Sequence, residues 1–181
     1  TYDNAKKAAN FGLRTAAIGY NYPSILLWRD TVVKRTGAAG NRRYYEKQSI
    51  STFNGTAHFL SPNEISINRR HLSARKFLIA TGTTWEIPDI PGIAETPYFT
   101  PKDILNLTRP PKTLFIIGST PAAIEVASLM SIFGTKVYLA DSATRIMPDQ
   151  DEDVSEMIAS QLTKQRGMTI MPNTKIVAVQ K

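Results

Sequence analysis

Apolar and polar positions change their period twice along this chain. Residues 3–14 have helical composition, with alanines and Phe11. After Gly19 a longer helical pattern runs from Pro23 to about Gln48, and Pro23 suits a first helical position. Leu26, Leu27, Val32, Val33, Tyr44 and Tyr45 are its predicted buried side. Gly37 and Gly40, each costing about 1 kcal/mol relative to Ala inside a helix, mark a bend or break. From Ser49 the period becomes two, which predicts short strands at residues 50–53, 57–60, 64–67 and 75–79. Ser61-Pro62-Asn63 is the turn between the second and third, and together they form a small antiparallel meander.

Two proline-rich connectors follow, Ile87-Pro88-Asp89-Ile90-Pro91-Gly92 and Arg109-Pro110-Pro111. Proline fixes φ and lacks an N–H, so a domain boundary belongs between them, with 1–98 on one side and 99–181 on the other. Leu114-Phe115-Ile116-Ile117 is a continuous apolar run, as expected of a parallel strand covered on both faces. Gly118-Ser119-Thr120-Pro121 turns the chain into a helix with an apolar stripe of Ala123, Val126, Ala127, Met130 and Phe133, ended by Gly134. Val137-Tyr138-Leu139-Ala140 is the next buried strand. Asp151 then caps a helix running to Gly167, with Val154, Ile158 and Leu162 facing inward. Ile170 and residues 176–179 begin further strands. The fold class is α/β: a meander followed by the first part of a doubly wound, Rossmann-type sheet.

Composition narrows the function. With 181 residues and 42% apolar content the chain is long and apolar enough for a packed core. No apolar run has the roughly 18 to 20 residues of a membrane span, and the first residues lack a signal-peptide core. The chain is expected to be soluble and cytoplasmic, without a membrane partner. Because it begins with Thr1, an organellar location of the parent protein stays open. Zero cysteines exclude disulfides, thiolate zinc sites and thiol nucleophiles within these residues. The net charge of +7 is scattered as pairs such as Lys6-Lys7, Arg42-Arg43 and Arg69-Arg70 between acids, so no nucleic-acid partner is expected. A basic nucleic-acid-binding protein is a remote alternative, marked by steep salt dependence. His58 and His71 lack metal-ligand spacing, and Asp149, Asp151, Glu152 and Asp153 suit a helix N-terminus better than a cation, so no metal site is predicted. Trp28 and Trp85 are expected in core or inter-domain packing.

Two stretches carry chemistry. Gly118 supplies a tight turn after a buried strand, Ala123 permits close helix-to-strand packing, and Asp141 stands where a carboxylate accepts both ribose hydroxyls of an adenosine. Thr120 occupies a position where glycine lets main chain touch a pyrophosphate; its side chain intrudes there, although its hydroxyl is a possible donor. In the second stretch, Leu78-Ile79-Ala80-Thr81-Gly82, a buried strand ending in small residues lets a flat or phosphorylated ligand approach main chain, and Pro88, Pro91 and Gly92 direct the exit.

The run from Leu78 through Ile90-Pro91-Gly92 to the Gly118 turn resembles the flavoprotein disulfide reductases, especially dihydrolipoamide dehydrogenases and mercuric reductases. Gly55-Thr56-Ala57 resembles the segment with which that family meets the adenine end of FAD. The resemblance implies FAD contacts at Gly55, Thr56, Ala57, Ala80, Thr81 and Gly82, and a pyridine-nucleotide site at Gly118, Ser119, Thr120, Ala123 and Asp141. Glu125 matches an acid near the nicotinamide and flavin rings. On physics alone it is a helix first-turn carboxylate, stabilised by about 0.3 to 1 kcal/mol. The family has two glycines where Ser119 and Thr120 occur, and the hydroxyl pair is similar to mercuric reductases. Asp141 favours NADH over NADPH because a 2′-phosphate beside it is repelled, and Arg145 nearby complicates that choice.

The resemblance also implies an FAD-pyrophosphate turn and redox cysteines before the segment matching Thr1, and an interface domain after Lys181. The expectation is therefore a central fragment of an FAD-dependent NAD(P)H oxidoreductase, homodimeric when intact. Such a parent passes hydride from nicotinamide to flavin and on to a disulfide or metal substrate. The parent is expected to be an enzyme; no catalytic residue is predicted in this fragment, which is expected to be inactive alone. The alternative is a non-catalytic dinucleotide-binding or sensing module.

Overall fold

The computed structural model describes every residue except 1, 15, 37–41 and 181, and every described side chain except that of Gln165. In chain order the elements are α1 (Tyr2–Lys6), a 3-10 turn (Ala8–Phe11), α2 (Tyr22–Arg35), α3 (Arg42–Lys47), β1 (Ala57–Ser61), β2 (Glu64–Ile67), β3 (Arg70–Ser73), α4 (Pro101–Ile104), β4 (Thr113–Ile117), α5 (Pro121–Ile132), β5 (Lys136–Ala140), α6 (Glu152–Arg166) and β6 (Thr169–Met171). Their contacts form two units, one of Thr1–Leu26 with Ile87–Lys181 and the other of Leu27–Glu86.

In the unit Leu27–Glu86, the helix predicted to reach Gln48 ends at Arg35 and resumes at α3; Gly37 and Gly40 lie outside the described residues. Its predicted buried side is also corrected. Leu27 is 70% exposed, and Val32, Val33 and Tyr44 are exposed too; Trp28, expected in core or inter-domain packing, is 63% exposed. At about 100° per residue Leu27, Trp28 and Val32 point well away from Leu26 and Val33, so no single stripe exists to bury. Trp85, expected in packing, is exposed as well.

The meander forms, with β2 between β1 and β3 in an antiparallel sheet, but its third strand is not where the period placed it. Asn68 and Arg69 both take positive φ, 47° and 67°, which is the geometry of a two-residue hairpin loop. That loop turns Ile67 directly into Arg70, and β3 follows at once. Residues 50–53 and 75–79 are not strands. The predicted buried strand before Ala80 is instead open, with Leu78 90% and Ile79 71% exposed, because no strand pairs with it among the described residues. Phe77 is pinned, its ring edge-on to Phe59 at 5.2 Å, and the Arg75 carbonyl accepts from the Asn63 amide at 3.3 Å.

In the other unit, β4, β5 and β6 pair in parallel in that order. On α5 the buried residues Ala123, Val126, Ala127 and Met130 follow a spacing of three, one and three, which is one helix face. Val126, Ala127 and Met130 pack with Ile104, Val137, Leu139, Ile146, Leu162 and Met168 as the core. Ile104 is delivered by α4, whose start is fixed by a reciprocal capping box between Thr100 and Asp103. Leu114 and Ile116 join this core, but Phe115 and Ile117 are 49% and 41% exposed. The apolar run of β4 is therefore covered on one face, not two: alternate side chains point to opposite sides of the sheet, and the helices described pack on one of them.

Helix α6 begins after Asp151, as predicted, but the Asp151 side chain makes no capping bond. Ser155 is buried in the first turn, donating to the Ile146 carbonyl at 2.5 Å, and Val154 beside it turns outward. Leu162 faces inward, and α6 ends at Gly167 with φ 63°. Residues 176–179 are not a strand, although the Val179 N–H donates to the Pro91 carbonyl at 2.8 Å. Tyr2, Tyr20 and Tyr22 surround Phe133, and the Tyr20 hydroxyl donates to the Phe133 carbonyl at 2.9 Å, fastening the N-terminal stretch to the end of α5.

Candidate functional site

The Gly118 turn leaves β4 beside the end of β5, whose last residue, Ala140, pairs with Ile117. The Gly118 N–H donates to the Ala140 carbonyl at 2.8 Å, so the turn and the residue after β5 are held side by side. Gly118 has φ 90°, a conformation that favours glycine, and a Cβ built there would meet nothing within 4 Å. The space above the turn is open.

Asp141 is fixed through both main chain and side chain. Its N–H donates to the Met171 carbonyl at 3.0 Å, and its carbonyl accepts from the Thr174 N–H at 2.8 Å. Its Oδ1 accepts from the Ala143 N–H at 2.9 Å, and its Oδ2 accepts from the Ser119 hydroxyl. Ser119 is 1% exposed, and its Oγ in turn accepts from the Met147 N–H at 3.0 Å. The turn, the acid and the loop after β5 are thus one bonded unit. Each carboxylate oxygen keeps lone-pair capacity for a ligand hydroxyl.

Thr120 is exposed and turned toward its own helix, where its Oγ1 accepts from the Ala123 N–H at 3.4 Å. Pro121 has no N–H, and the Ile124 N–H donates to the Thr120 carbonyl at 3.0 Å. Ala122 therefore supplies the open amide of the first turn of α5, with the helix dipole behind it. The donors at the phosphate end are few, yet their chemistry and the open turn fit an anionic dinucleotide. Ala123 is buried against the core side, and Glu125 is exposed on α5.

Arg145 is committed to its own loop. Its Nη2 donates to the carbonyls of Pro148 at 3.0 Å and Gln150 at 2.8 Å, while its buried Nε has no acceptor among the described residues.

The residues assigned to FAD lie in two separate stretches of the sequence. Gly55, Thr56 and Ala57 are exposed at the start of β1, and Ala80, Thr81 and Gly82 are exposed in the coil beyond Ile79. Among the described residues no hydrogen bond joins the two stretches. Gly55 is nevertheless a close-approach position: a Cβ there would lie 2.6 Å from the Asn68 amide, which donates to the Asn54 carbonyl at 2.7 Å. A shallow groove nearby is lined by Arg42, Thr52, Phe53, Asn54, Ile67, Asn68 and Arg70. Among the described residues no group of three His, Cys, Asp or Glu is placed to hold a metal, and no helix is long and apolar enough to cross a membrane.

Sequence reasoning missed the two loop amides, Ala143 and Met147, that complete the site. It also missed the bridging role of the Ser119 hydroxyl. The available signal was a small hydroxyl residue directly after the turn glycine, facing an acid at the next strand's end.

The sequence profile of the pyridine nucleotide-disulphide oxidoreductases matches residues 3–181. The chain belongs to that family. Pyridine nucleotide-disulphide oxidoreductases are FAD-dependent enzymes that use a nicotinamide dinucleotide. This member is 28% identical to dihydrolipoyl dehydrogenase of Acholeplasma laidlawii over 183 residues, covering 98% of this chain and 54% of that protein. It is 28% identical to mercuric reductase of Bacillus cereus, covering 89% of this chain and 26% of that protein. Among solved structures, the Cu(II) complex of the HOCl-induced flavoprotein disulfide reductase RclA of Escherichia coli superposes with a TM-score of 0.76 at 23% identity. That likeness covers 99% of this chain and 39% of RclA, and it shows the fold. The chain spans about half, or less, of the length of these relatives.

Proposed function

We propose that the β4–α5–β5 unit binds an adenine dinucleotide, with NADH favoured over NADPH, as part of an FAD-dependent oxidoreductase. The observation that carries this reading is the bonded pair of Gly118 turn and Asp141, with open space above the turn glycine; a carboxylate so held beside such a turn is suited to accept ribose hydroxyls. Asp141 repels a 2′-phosphate, and the Arg145 Nη2 that could offset this is engaged by two carbonyls of its own loop, which supports NADH. Gly118, Ser119, Thr120, Ala123, Glu125 and Asp141 are the residues assigned to this ligand.

For the longer protein, the proposed reaction class is oxidoreduction between a nicotinamide dinucleotide and a disulfide or metal substrate by way of FAD, like the dihydrolipoyl dehydrogenases and mercuric reductases it resembles. Residues 1–98 would belong to its FAD domain, with Gly55, Thr56, Ala57, Ala80, Thr81 and Gly82 on the flavin side, and 99–181 to its NAD(P) domain. A cytoplasmic homodimer with no nucleic-acid or membrane partner completes the proposal. No step of this chemistry is assigned to the chain itself, since thiol exchange needs cysteines and the 181 residues contain none.

Thr120, standing where glycine would admit a pyrophosphate, favours a second reading, a dinucleotide-binding module without redox chemistry. Calorimetric titration with NADH and NADPH, beside an Asp141→Ala variant, tests the binding claim. NADH should bind more tightly than NADPH, and Asp141→Ala should weaken NADH by about tenfold, the size of a lost charge-assisted hydrogen bond. NADH affinity unchanged by Asp141→Ala would remove the claim. A visible flavin spectrum from the longer protein separates oxidoreductase from module.

A further inference from the structure

We propose that Ser119 is a positioning residue that selects an adenosine ribose with free hydroxyls, by holding the Asp141 carboxylate in its accepting orientation. This rests on the dinucleotide reading above. The Met147 N–H occupies a lone pair of the Ser119 hydroxyl and cannot itself accept, so the hydroxyl proton is directed to Asp141 Oδ2. Ala143 holds the other oxygen from the opposite side. The carboxylate is therefore pinned at both oxygens before any ligand arrives, and its remaining lone pairs are fixed in direction. Preorganisation of this kind raises affinity by removing the ordering that binding would otherwise demand.

The same hydroxyl sets the loop beyond Asp141, because it is the acceptor for Met147, a non-glycine residue at φ 49°. Without that acceptor the Met147 amide has no partner among the described residues. The loop that carries Arg145 then loses one of its ties, the others including the Ser155 bond to the Ile146 carbonyl and the Asn173 bond to the Ala143 carbonyl. A glycine at 119 would keep the turn and lose both bonds. At 1% exposure the Ser119 hydroxyl is shielded from solvent, so its bonds to Asp141 and Met147 meet little competition from water.

The test is fluorescence or calorimetric titration of the full chain and its Ser119→Ala variant with NADH, AMP and 2′,3′-dideoxy-AMP. Ser119→Ala should weaken NADH and AMP by about tenfold, as expected for loss of a hydrogen bond to a charged group, and leave the dideoxy analogue within about twofold. Added to Asp141→Ala, it should weaken NADH by less than about twofold more, because the two residues act as one. Equal weakening of AMP and its dideoxy analogue would show a merely structural role and overturn the proposal, as would wild-type NADH affinity in Ser119→Ala. Should Ser119→Ala fail to fold, Ser119→Cys, of similar volume and a weaker donor, carries the same comparison. Wild-type protein that binds neither NADH nor AMP removes the dinucleotide reading and this proposal together. Normal binding by both proteins removes this proposal alone.

Discussion

Asp3 and Arg166, 163 positions apart, meet in a two-pronged ion pair: Nη1 donates to Oδ1 at 2.7 Å and Nη2 to Oδ2 at 2.9 Å. The pair ties α1 to the last turn of α6, where a cation also suits the helix dipole. The Arg166 hydrogen bonds hold the Asp3 carboxyl below its ordinary value of 3.8, with Lys7 adding to the effect and partial burial opposing it. A depressed carboxylate pKa stabilises the fold above the unfolded-state pKa, and that contribution is lost as pH falls through the lowered folded value. Both side chains are about one-fifth exposed, so solvent screening limits the pair to about 1 kcal/mol. Asp3→Asn should lower stability by that amount at neutral pH in urea denaturation, and its curve should merge with wild type in strong acid. Coincident curves at neutral pH would show that the pair contributes nothing.

Gly92 lies against Val179. It has φ 82°, and a Cβ on it would stand 2.0 Å from the Val179 carbonyl oxygen, while the Val179 N–H bonds the Pro91 carbonyl. Gly92→Ala therefore meets both a strained backbone and a backbone clash, and should destabilise by roughly 2 kcal/mol or more. Because the Val179 N–H is tied here to the Pro91 carbonyl, the first sign should be faster hydrogen exchange at the Val179 amide. Unchanged exchange and an unchanged urea midpoint would contradict this contact.

Thr120 caps α5 and stands beside the open turn. Replacing it by glycine removes the side chain from the phosphate approach, and glycine at an N-cap costs only a few tenths of a kcal/mol relative to threonine. Thr120→Gly should bind NADH roughly threefold more tightly with nearly unchanged stability. Weaker binding would mean that the threonine hydroxyl serves the ligand directly.

The parallel unit was legible because its signals are local and agree with one another. Gly118, Thr120-Pro121, Gly134 and Gly167 punctuate a run whose apolar spacing fits α5, and β5 is apolar enough to need no partner to be recognised. The Leu27–Glu86 unit was harder, since its outcome depends on pairing. Arg70-His71-Leu72-Ser73 carries no strong alternation, yet it is a strand because the Asn68-Arg69 loop delivers it to β2. Leu78 and Ile79 have strand composition but no strand pairs with them among the described residues, so they are open. At the site, sequence placed Gly118 and Asp141 on neighbouring strand ends. The hydrogen bonds that weld them run through Ser119, Ala143 and Met147, and two of these partners are main-chain amides that residue identity does not reveal.

Amide-resolved NMR of the chain during NADH titration is the most direct check on the dinucleotide site. Resonances of Gly118, Ala122, Asp141 and Ala143 should shift together along one saturating curve, more strongly than with NADPH at the same concentration. Stationary signals at these four, or shifts confined to the groove between Arg42 and Arg70, would contradict it.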